Sequence, residues 1–363
     1  MSKKKILTVI GARPQFIKAA VVSRELRKYY EEILVHTGQH YDYNMSDIFF
    51  EELDIPKPNY NLGISGGSHG KMTGEMLIEL EKVMIKEAPD VVLLYGDTNS
   101  TLAGALSAVK LHIPIIHVEA GARLGTLNNP EEVNRIITDH VSTKLLYCTK
   151  SAEEFLNKEG LMDKSLLVGD PMFDAFKYYC NKIIECPENL VSLNEEEIRM
   201  PKEYYYMTCH REENTKEDNK LLEILKAMQE LDKPVIYPVH PRNKAKVCEL
   251  ISKYRFENIY AVKPVGYLMS IFLIKNAKKI VTDSGGLQRE AFFAGKQCVT
   301  IFDRVMWPET MIDNRNQISS PNKREILDKL MVQQKVNNKY LPFGDGESAV
   351  KIVKAIDNVI GEE

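Results

Sequence analysis

Three acidic side chains stand where turns of the chain are expected. They are Asp97 in Asp97-Thr98-Asn99-Ser100-Thr101, Glu119 in His117-Val118-Glu119-Ala120-Gly121 and Glu131 in Pro130-Glu131-Glu132-Val133-Asn134-Arg135. Carboxylates gathered this way suit acid-base work on a weak carbon acid, because like-charge neighbours and burial raise the pKa of one of a group. Taken singly, each could equally be a helix cap or a salt-bridge partner of Arg123 or Arg135.

The second half of the chain carries a different chemistry. Thr282-Asp283-Ser284-Gly285-Gly286-Leu287-Gln288-Arg289-Glu290 follows an apolar run and opens a helical pattern. Free amides at a helix start bind phosphate, and the two glycines let a ligand approach the backbone. Glu290, one to two turns in, could accept both hydroxyls of a ribose; an ordinary capped turn with a solvated glutamate is the plain alternative. His210-Arg211-Glu212-Glu213-Asn214 and His240-Pro241-Arg242-Asn243 each follow an apolar run, and an imidazole there can donate to a leaving phosphate oxygen. In the first half, Gly11-Ala12-Arg13-Pro14-Gln15-Phe16-Ile17-Lys18 puts Pro14 at a first helical position and the cations Arg13 and Lys18 near it, suited to a diphosphate. Lys18 could instead only pair with an acid.

Gly66-Gly67-Ser68-His69-Gly70-Lys71 imitates a phosphate-binding P-loop and fails it. Ser65 replaces the first glycine and Met72 the magnesium-binding hydroxyl. No GxGxxG follows the first strand, so a nicotinamide dinucleotide is not supported, and no cofactor or metal is expected.

The elements that must position these groups follow from the apolar pattern. Runs at 6–10, 33–37, 91–95, 113–118 and 145–148, apolar throughout, suit parallel strands covered on both faces by helices. Gly38, Gly96 and Gly121 lie just after strand ends, where ligands gather in open α/β sheets. A second series at 204–208, 235–239, 259–262, 280–282 and 298–302 has helical segments between, for example 219–231 and 287–294. The expected fold is α/β, two Rossmann-like doubly wound domains with a deep cleft between them. Residues 1–170 would form the first, 171–345 the second, and a helix within 346–363 would pack back on the first. The polar stretch 181–202 is read as a helix plus a loop.

Length supports two cores: 363 residues, 44% hydrophobic, exceed one ordinary domain. A net charge of -3 gives no basic field, so nucleic acid is not an expected partner. No apolar run spans a membrane, the start Met1-Ser2-Lys3-Lys4-Lys5 leads straight into a strand, and six scattered cysteines form no CxxC pair. A cytoplasmic protein with reduced thiols is expected, and the acceptor-like Asn99-Ser100-Thr101 is then accidental.

Seven motifs, in order, resemble the non-hydrolysing UDP-N-acetylglucosamine 2-epimerase family. They are Gly11-Ala12-Arg13-Pro14 with Lys18, Thr37-Gly38-Gln39-His40, Gly96-Asp97-Thr98, His117-Val118-Glu119-Ala120-Gly121, Pro130-Glu131-Glu132 with Asn134-Arg135, His210-Arg211-Glu212-Glu213-Asn214 and Asp283-Ser284-Gly285-Gly286. The resemblance implies a GT-B-like fold holding UDP mainly in its C-terminal domain. It implies anti elimination of UDP to a 2-acetamidoglucal, then re-addition with the proton returned to the other face of carbon 2. Carried over, Asp97, Glu119 and Glu131 are the acid-base group and His210 assists the diphosphate, which Arg13, Lys18, Ser284, Gly285 and Gly286 hold. Glu290 would take the ribose and residues 265–271 would line the uracil. Gln39, Arg135, Arg211, His240, Asn243 and Asp303 complete the expected substrate contacts, and a homodimer acting on a UDP-sugar is expected.

Departures concern the sugar. The stretch between Arg123 and Pro130 is about two residues shorter than is usual for enzymes of UDP-N-acetylglucosamine, Trp307 stands where many members place an arginine, and Asp42 replaces a polar amide of an allosteric site. With Gly11-Ala12-Arg13-Pro14-Gln15-Phe16-Ile17-Lys18, these features look more like the branch acting on UDP-2,3-diacetamido-2,3-dideoxy-glucuronate. The other readings are a hydrolysing epimerase, a GT-B glycosyltransferase, which would not exchange the hydrogen at carbon 2, and a catalytically silent UDP-sugar binder.

Overall fold

Strands with no polar face are stable only between two helical layers, and that is how the computed structural model arranges them. It describes residues 3–39, 47–182, 186–337 and 339–361. The chain divides into two compact units, Met1–Lys177 with Leu341–Glu363, and Tyr178–Tyr340.

The first unit carries β1 (Lys5–Ile10), β2 (Glu31–His36), β3 (Tyr60–Asn61), β4 (Val91–Tyr95), β5 (Ile115–Ala120), β6 (Lys144–Tyr147) and β7 (Ser165–Leu167). They form one parallel sheet in the order β3-β2-β1-β4-β5-β6-β7. Leu7, Val9, Val92 and Leu94 pack against Met76, Leu80 and Ala105 of the covering helices. Each large aliphatic chain buried this way contributes about 1.5–3 kcal/mol. Helix Ser348–Gly361 closes the unit by packing on helix Arg13–Leu26, with the Tyr30 hydroxyl donating to Asp357.

In the second unit a hairpin, β8 (Asn189–Val191) and β9 (Glu197–Arg199), precedes β10 (Tyr205–Thr208), β11 (Val235–Pro238), β12 (Ile259–Val262), β13 (Ile280–Thr282), β14 (Cys298–Ile301) and β15 (Asn316–Ser319). The last six make a parallel sheet in the order β12-β11-β10-β13-β14-β15. Both units are doubly wound, the GT-B-like pair of Rossmann-type folds that the sequence suggests. In each, strand order reverses at one point: between β1 and β4, and between β10 and β13. Ligands of open α/β sheets bind at the carboxyl ends of strands at such a point. The turns after β1 and β4 carry Arg13 and Asp97; those after β10 and β13 carry His210-Arg211 and Ser284-Gly285-Gly286.

One expectation is corrected. Within 181–202 the chain forms the antiparallel hairpin β8–β9, where a helix and a loop are expected from the sequence. Its turn is built by Ser192, whose hydroxyl accepts the amides of Asn194 (3.2 Å) and Glu196 (3.0 Å), and Glu195 adopts φ 71°. A serine bonding the local backbone this way favours a turn over a helix. Asp42, with the rest of 40–46, lies outside the described residues. Among the described residues no helix is long and apolar enough to cross a membrane.

Candidate active site

At the reversal point of the first unit, Arg135 gathers the acids. Its helix, Pro130–Val141, is started by the Asn129 side chain, which accepts the Glu131 amide at 2.9 Å, and by Pro130 in the first turn. The buried Arg135 guanidinium pairs with Asp97, donates to the Glu119 carbonyl and lies 3.2 Å from Glu119 Oε1. Burial opposes its charge, yet Asp97, Glu119 and Asp139 hold its pKa above the ordinary arginine value. Glu119 also pairs with the buried Lys18. The ion pairing that competes with a catalytic reading of these acids is therefore present, and it assembles them.

Glu119 reaches this position through its backbone. It takes φ 69°, and the register of β5 against β6 shifts between Val118 and Ala120. A non-glycine residue in the left-handed region at a bulge re-aims its side chain. A Cβ placed on Gly96, itself at φ 64°, would stand 3.6 Å from Glu119 Oε1 and 3.7 Å from Lys18 Nζ. Exposure separates the three acids: Glu119 is buried, Asp97 half-buried and Glu131 exposed. Glu131 precedes Arg135 by four residues, so it lies on the same helix face one turn nearer the N-terminus.

Behind the acids runs a buried network. His117 Nε2 lies 2.7 Å from the Gly96 carbonyl and Nδ1 2.7 Å from Asp139 Oδ1. Asp139 Oδ2 accepts the Gly121 amide at 3.0 Å and faces Arg123 at 2.7 Å; Arg123 also grips Glu159 with two bonds of 2.8 Å. Burial pushes the Asp139 carboxyl up, but His117, Arg123 and the Gly121 amide outweigh it and hold the pKa at about 2, below the ordinary 3.8. A carboxyl depressed on folding stabilises the protein above its unfolded pKa, and that stability is lost as pH falls through the folded one. Asp139→Asn is thus expected to lower stability at neutral pH and to flatten its decline between pH 3.8 and about 2, followed by denaturant melts at stepped pH. An acid limb identical to wild type would show that other carboxyls set it.

At the second unit's reversal point Asp283 is the organising group. Its Oδ2 accepts the backbone amides of His210 and Arg211 at 2.8 Å each, and Oδ1 lies 3.2 Å from His210 Nδ1. The Arg211 guanidinium returns a bond to the Asp283 carbonyl (2.7 Å) and stacks on Phe302, 4.1 Å from the ring centroid. Ser284 caps the nine-residue helix Gly285–Phe293 by accepting the Leu287 amide at 3.4 Å, leaving Gly285 and Gly286 in its first turn. The rings of His210 and His240 stack at 6.3 Å. Here the structure brings together His210, Arg211, His240 and the Ser284-Gly285-Gly286 turn.

Other expected residues fall in different settings. Gln39 accepts from Ser100 at 2.9 Å beside the first-unit turns. The Arg13 guanidinium lies 4.7 Å from the Phe49 ring centroid. Asn243 is buried with its amide 3.4 Å from the Cys209 carbonyl, Glu290 is buried in helix Gly285–Phe293, and Asp303 is exposed on the loop after β14.

The chain matches the family described as UDP-N-acetylglucosamine 2-epimerase over residues 24–357. The chain belongs to the UDP-N-acetylglucosamine 2-epimerase family. A UDP-N-acetylglucosamine 2-epimerase homolog of Methanococcus maripaludis is 47% identical, the alignment covering 98% of this chain and 100% of that one. The UDP-2,3-diacetamido-2,3-dideoxy-D-glucuronate 2-epimerase of Pseudomonas aeruginosa is 43% identical over 96% of this chain and 98% of its own. The structure of the Methanocaldococcus jannaschii UDP-GlcNAc 2-epimerase in complex with UDP-GlcNAc and UDP superposes with a TM-score of 0.85. Its identity is 38%, and 98% of this chain and 99% of that one are covered. Within this family fold, the residues that sequence reasoning leaves without a role are His117, Asp139, Gln15 and Asp283. Gln15, His117 and Asp283 stand inside quoted motifs; Asp139 shows in the sequence only as one more helical acid.

Proposed function

We propose that this protein is a non-hydrolysing 2-epimerase of a UDP-2-acetamido sugar, of the UDP-N-acetylglucosamine to UDP-N-acetylmannosamine type. The observation that carries the reading is the gathering of Asp97 and Glu119 on Arg135 at the reversal point of one sheet, in a chain of this family. In the forward step the C2–H bond breaks toward a carboxylate, its electrons form the C1=C2 bond, and the C1–O bond to UDP breaks. Re-addition of UDP to C1 returns a proton to C2 from the other face. The geometry favours dividing the acids by setting. Asp97 and Glu131, the two not buried, serve the two faces, while Glu119 is the fixed anion that holds Lys18 and Arg135.

On the nucleotide side, the first-turn amides at Gly285 and Gly286, the Arg211 guanidinium and the half-buried His210 and His240 are suited to the diphosphate. His210 is the donor to the leaving phosphate oxygen. Arg13, Gln39, Asn243, Asp303 and Glu290 complete the substrate contacts in this reading. Six cysteines, none of them in a disulfide, fit the reducing cytoplasm, where we place the enzyme. We also infer a homodimer, since exposed Ile78 and Ile85, seven residues apart, share one face of helix His69–Glu87.

Incubation with UDP-N-acetylglucosamine in deuterated water, followed by NMR, tests the reading. Deuterium at C2 and a UDP-linked mannosamine product are the expected result. Release of free sugar, or no exchange at C2, overturns it. The 43% identity to the diacetamido-glucuronate enzyme supports a second substrate reading, so the same incubation with that UDP-sugar is the companion arm.

A further inference from the structure

We propose that His117 is a positioning residue: a buried imidazolium that, together with Gln15 and Asn134, clamps three successive carbonyls of the turn carrying Asp97. The inference rests on the proposed role of Asp97 in moving the C2 proton.

Three donors from three elements meet this turn in sequence. Gln15 Nε2, from helix Arg13–Leu26, donates to the Tyr95 carbonyl at 2.9 Å. His117 Nε2, from β5, reaches the Gly96 carbonyl at 2.7 Å. Asn134 Nδ2, from helix Pro130–Val141, donates to the Asp97 carbonyl at 2.9 Å. All three side chains are buried. Gln15 is itself fixed, because its Oε1 accepts the Gly11 and Ala12 amides at 2.8 and 3.0 Å. The Tyr95, Gly96 and Asp97 carbonyls are therefore each held by a buried side chain, although the Asp97 side chain itself stands half-buried.

The charge on His117 follows from its partners. A carbonyl only accepts, so Nε2 carries a hydrogen toward Gly96. Asp139, facing Nδ1 with Oδ1, receives the Gly121 amide and the Arg123 guanidinium on its other oxygen, and a carboxyl held down to about 2 is ionised and can only accept. Nδ1 then carries a hydrogen as well, and the ring is cationic. A charged donor makes a shorter and stronger bond than a neutral one. That suits a pin on the residue next to a proton-transfer group, where a misplacement of about 1 Å costs about 10²-fold in rate.

Two variants separate positioning from mere structural support. His117→Gln puts an amide near Nε2 and keeps the donor to Gly96 while releasing Asp139. His117→Asn puts it near Nδ1, keeps Asp139 and releases Gly96. Both lose the charge and both leave a smaller side chain. The expected result is a fall in kcat of about 10²-fold for His117→Asn and less than about tenfold for His117→Gln, with KM and the UDP dissociation constant unchanged in both. Equal losses in kcat, or a greater loss in His117→Gln, overturn the positioning role. Independently of either variant's folding, nitrogen-resolved NMR of the wild-type imidazole at neutral pH is expected to show a proton on each ring nitrogen of His117. One bare nitrogen overturns the imidazolium. Failure of the Asp97 assignment reads out separately, as full turnover in Asp97→Asn, and leaves the ring's protonation untouched.

Discussion

Asp97→Asn is expected to lose turnover by about 10²–10⁴-fold while still binding UDP, and to stop taking deuterium into the C2 position of its substrate. The exchange of one oxygen for an amide keeps the volume of the side chain. It also keeps the backbone of the turn, since the Tyr95, Gly96 and Asp97 carbonyls remain held by Gln15, His117 and Asn134. What it removes is the capacity to accept a proton. Arg135 retains Glu119, so its charge is not stranded. UDP affinity is expected to stay near wild type because, Arg13 and Lys18 apart, the nucleotide groups in this reading belong to the second unit, which Asp97 is not part of. Isothermal titration with UDP and a discontinuous NMR assay read the two quantities separately. Near-full turnover would remove Asp97 from the reaction, and lost UDP binding would recast it as a binding group. Glu131→Gln is expected to behave alike, since Glu131 is exposed on the Arg135 face of the same helix.

The sequence shows the sheets more completely than it shows what holds the acids. A strand without a charged or strongly polar residue, such as β4, is legible because nothing but a two-sided burial explains it. β15, Asn-Gln-Ile-Ser, is an edge strand with mixed polarity, and β3 has only two residues, so neither stands out from a loop. The hairpin β8–β9 escapes because its turn depends on Ser192 bonding to two amides. In the site, Asp97, Glu119 and Glu131 are marked by acid type next to strand ends or a helix start. Their relation to Arg135 is not, because it joins residues from β5, the loop after β4 and helix Pro130–Val141. Asp139 looks like an ordinary helical acid in sequence and Gln15 like one motif residue without a chemistry of its own, and only the packing of their helices against the strand ends brings them to the hydrogen-bond network around Asp97. Glu119 carries the least legible feature, a left-handed backbone in a residue type that rarely adopts it.

Arg135→Met is expected to be the most destabilising single change at this site, by about 3–5 kcal/mol. A buried arginine makes little net contribution as a pair, since desolvation offsets most of its attraction; removing it from among fixed anions is a different matter. Methionine fills most of the volume and leaves Asp97 and the Glu119 carbonyl without their donor, and Glu119 with Lys18 as its remaining cation here. Asp97 is half-buried and can turn toward water, whereas Glu119 is held by its backbone and cannot. The cost should therefore concentrate on Glu119, and Arg135→Met/Glu119→Gln is not expected to recover it, because the buried Lys18 then loses its anion. Arg135→Lys is expected to fall between wild type and Arg135→Met, because an ammonium supplies the charge but not the fork that reaches Asp97 and Glu119 together. Denaturant melts followed by hydrogen exchange in β5 and helix Pro130–Val141 would separate loss in this unit from loss in the other. If Arg135→Met melted as wild type does, the acids would be tolerating one another unaided, and the charge balance assigned to Lys18, Glu119 and Arg135 would be wrong.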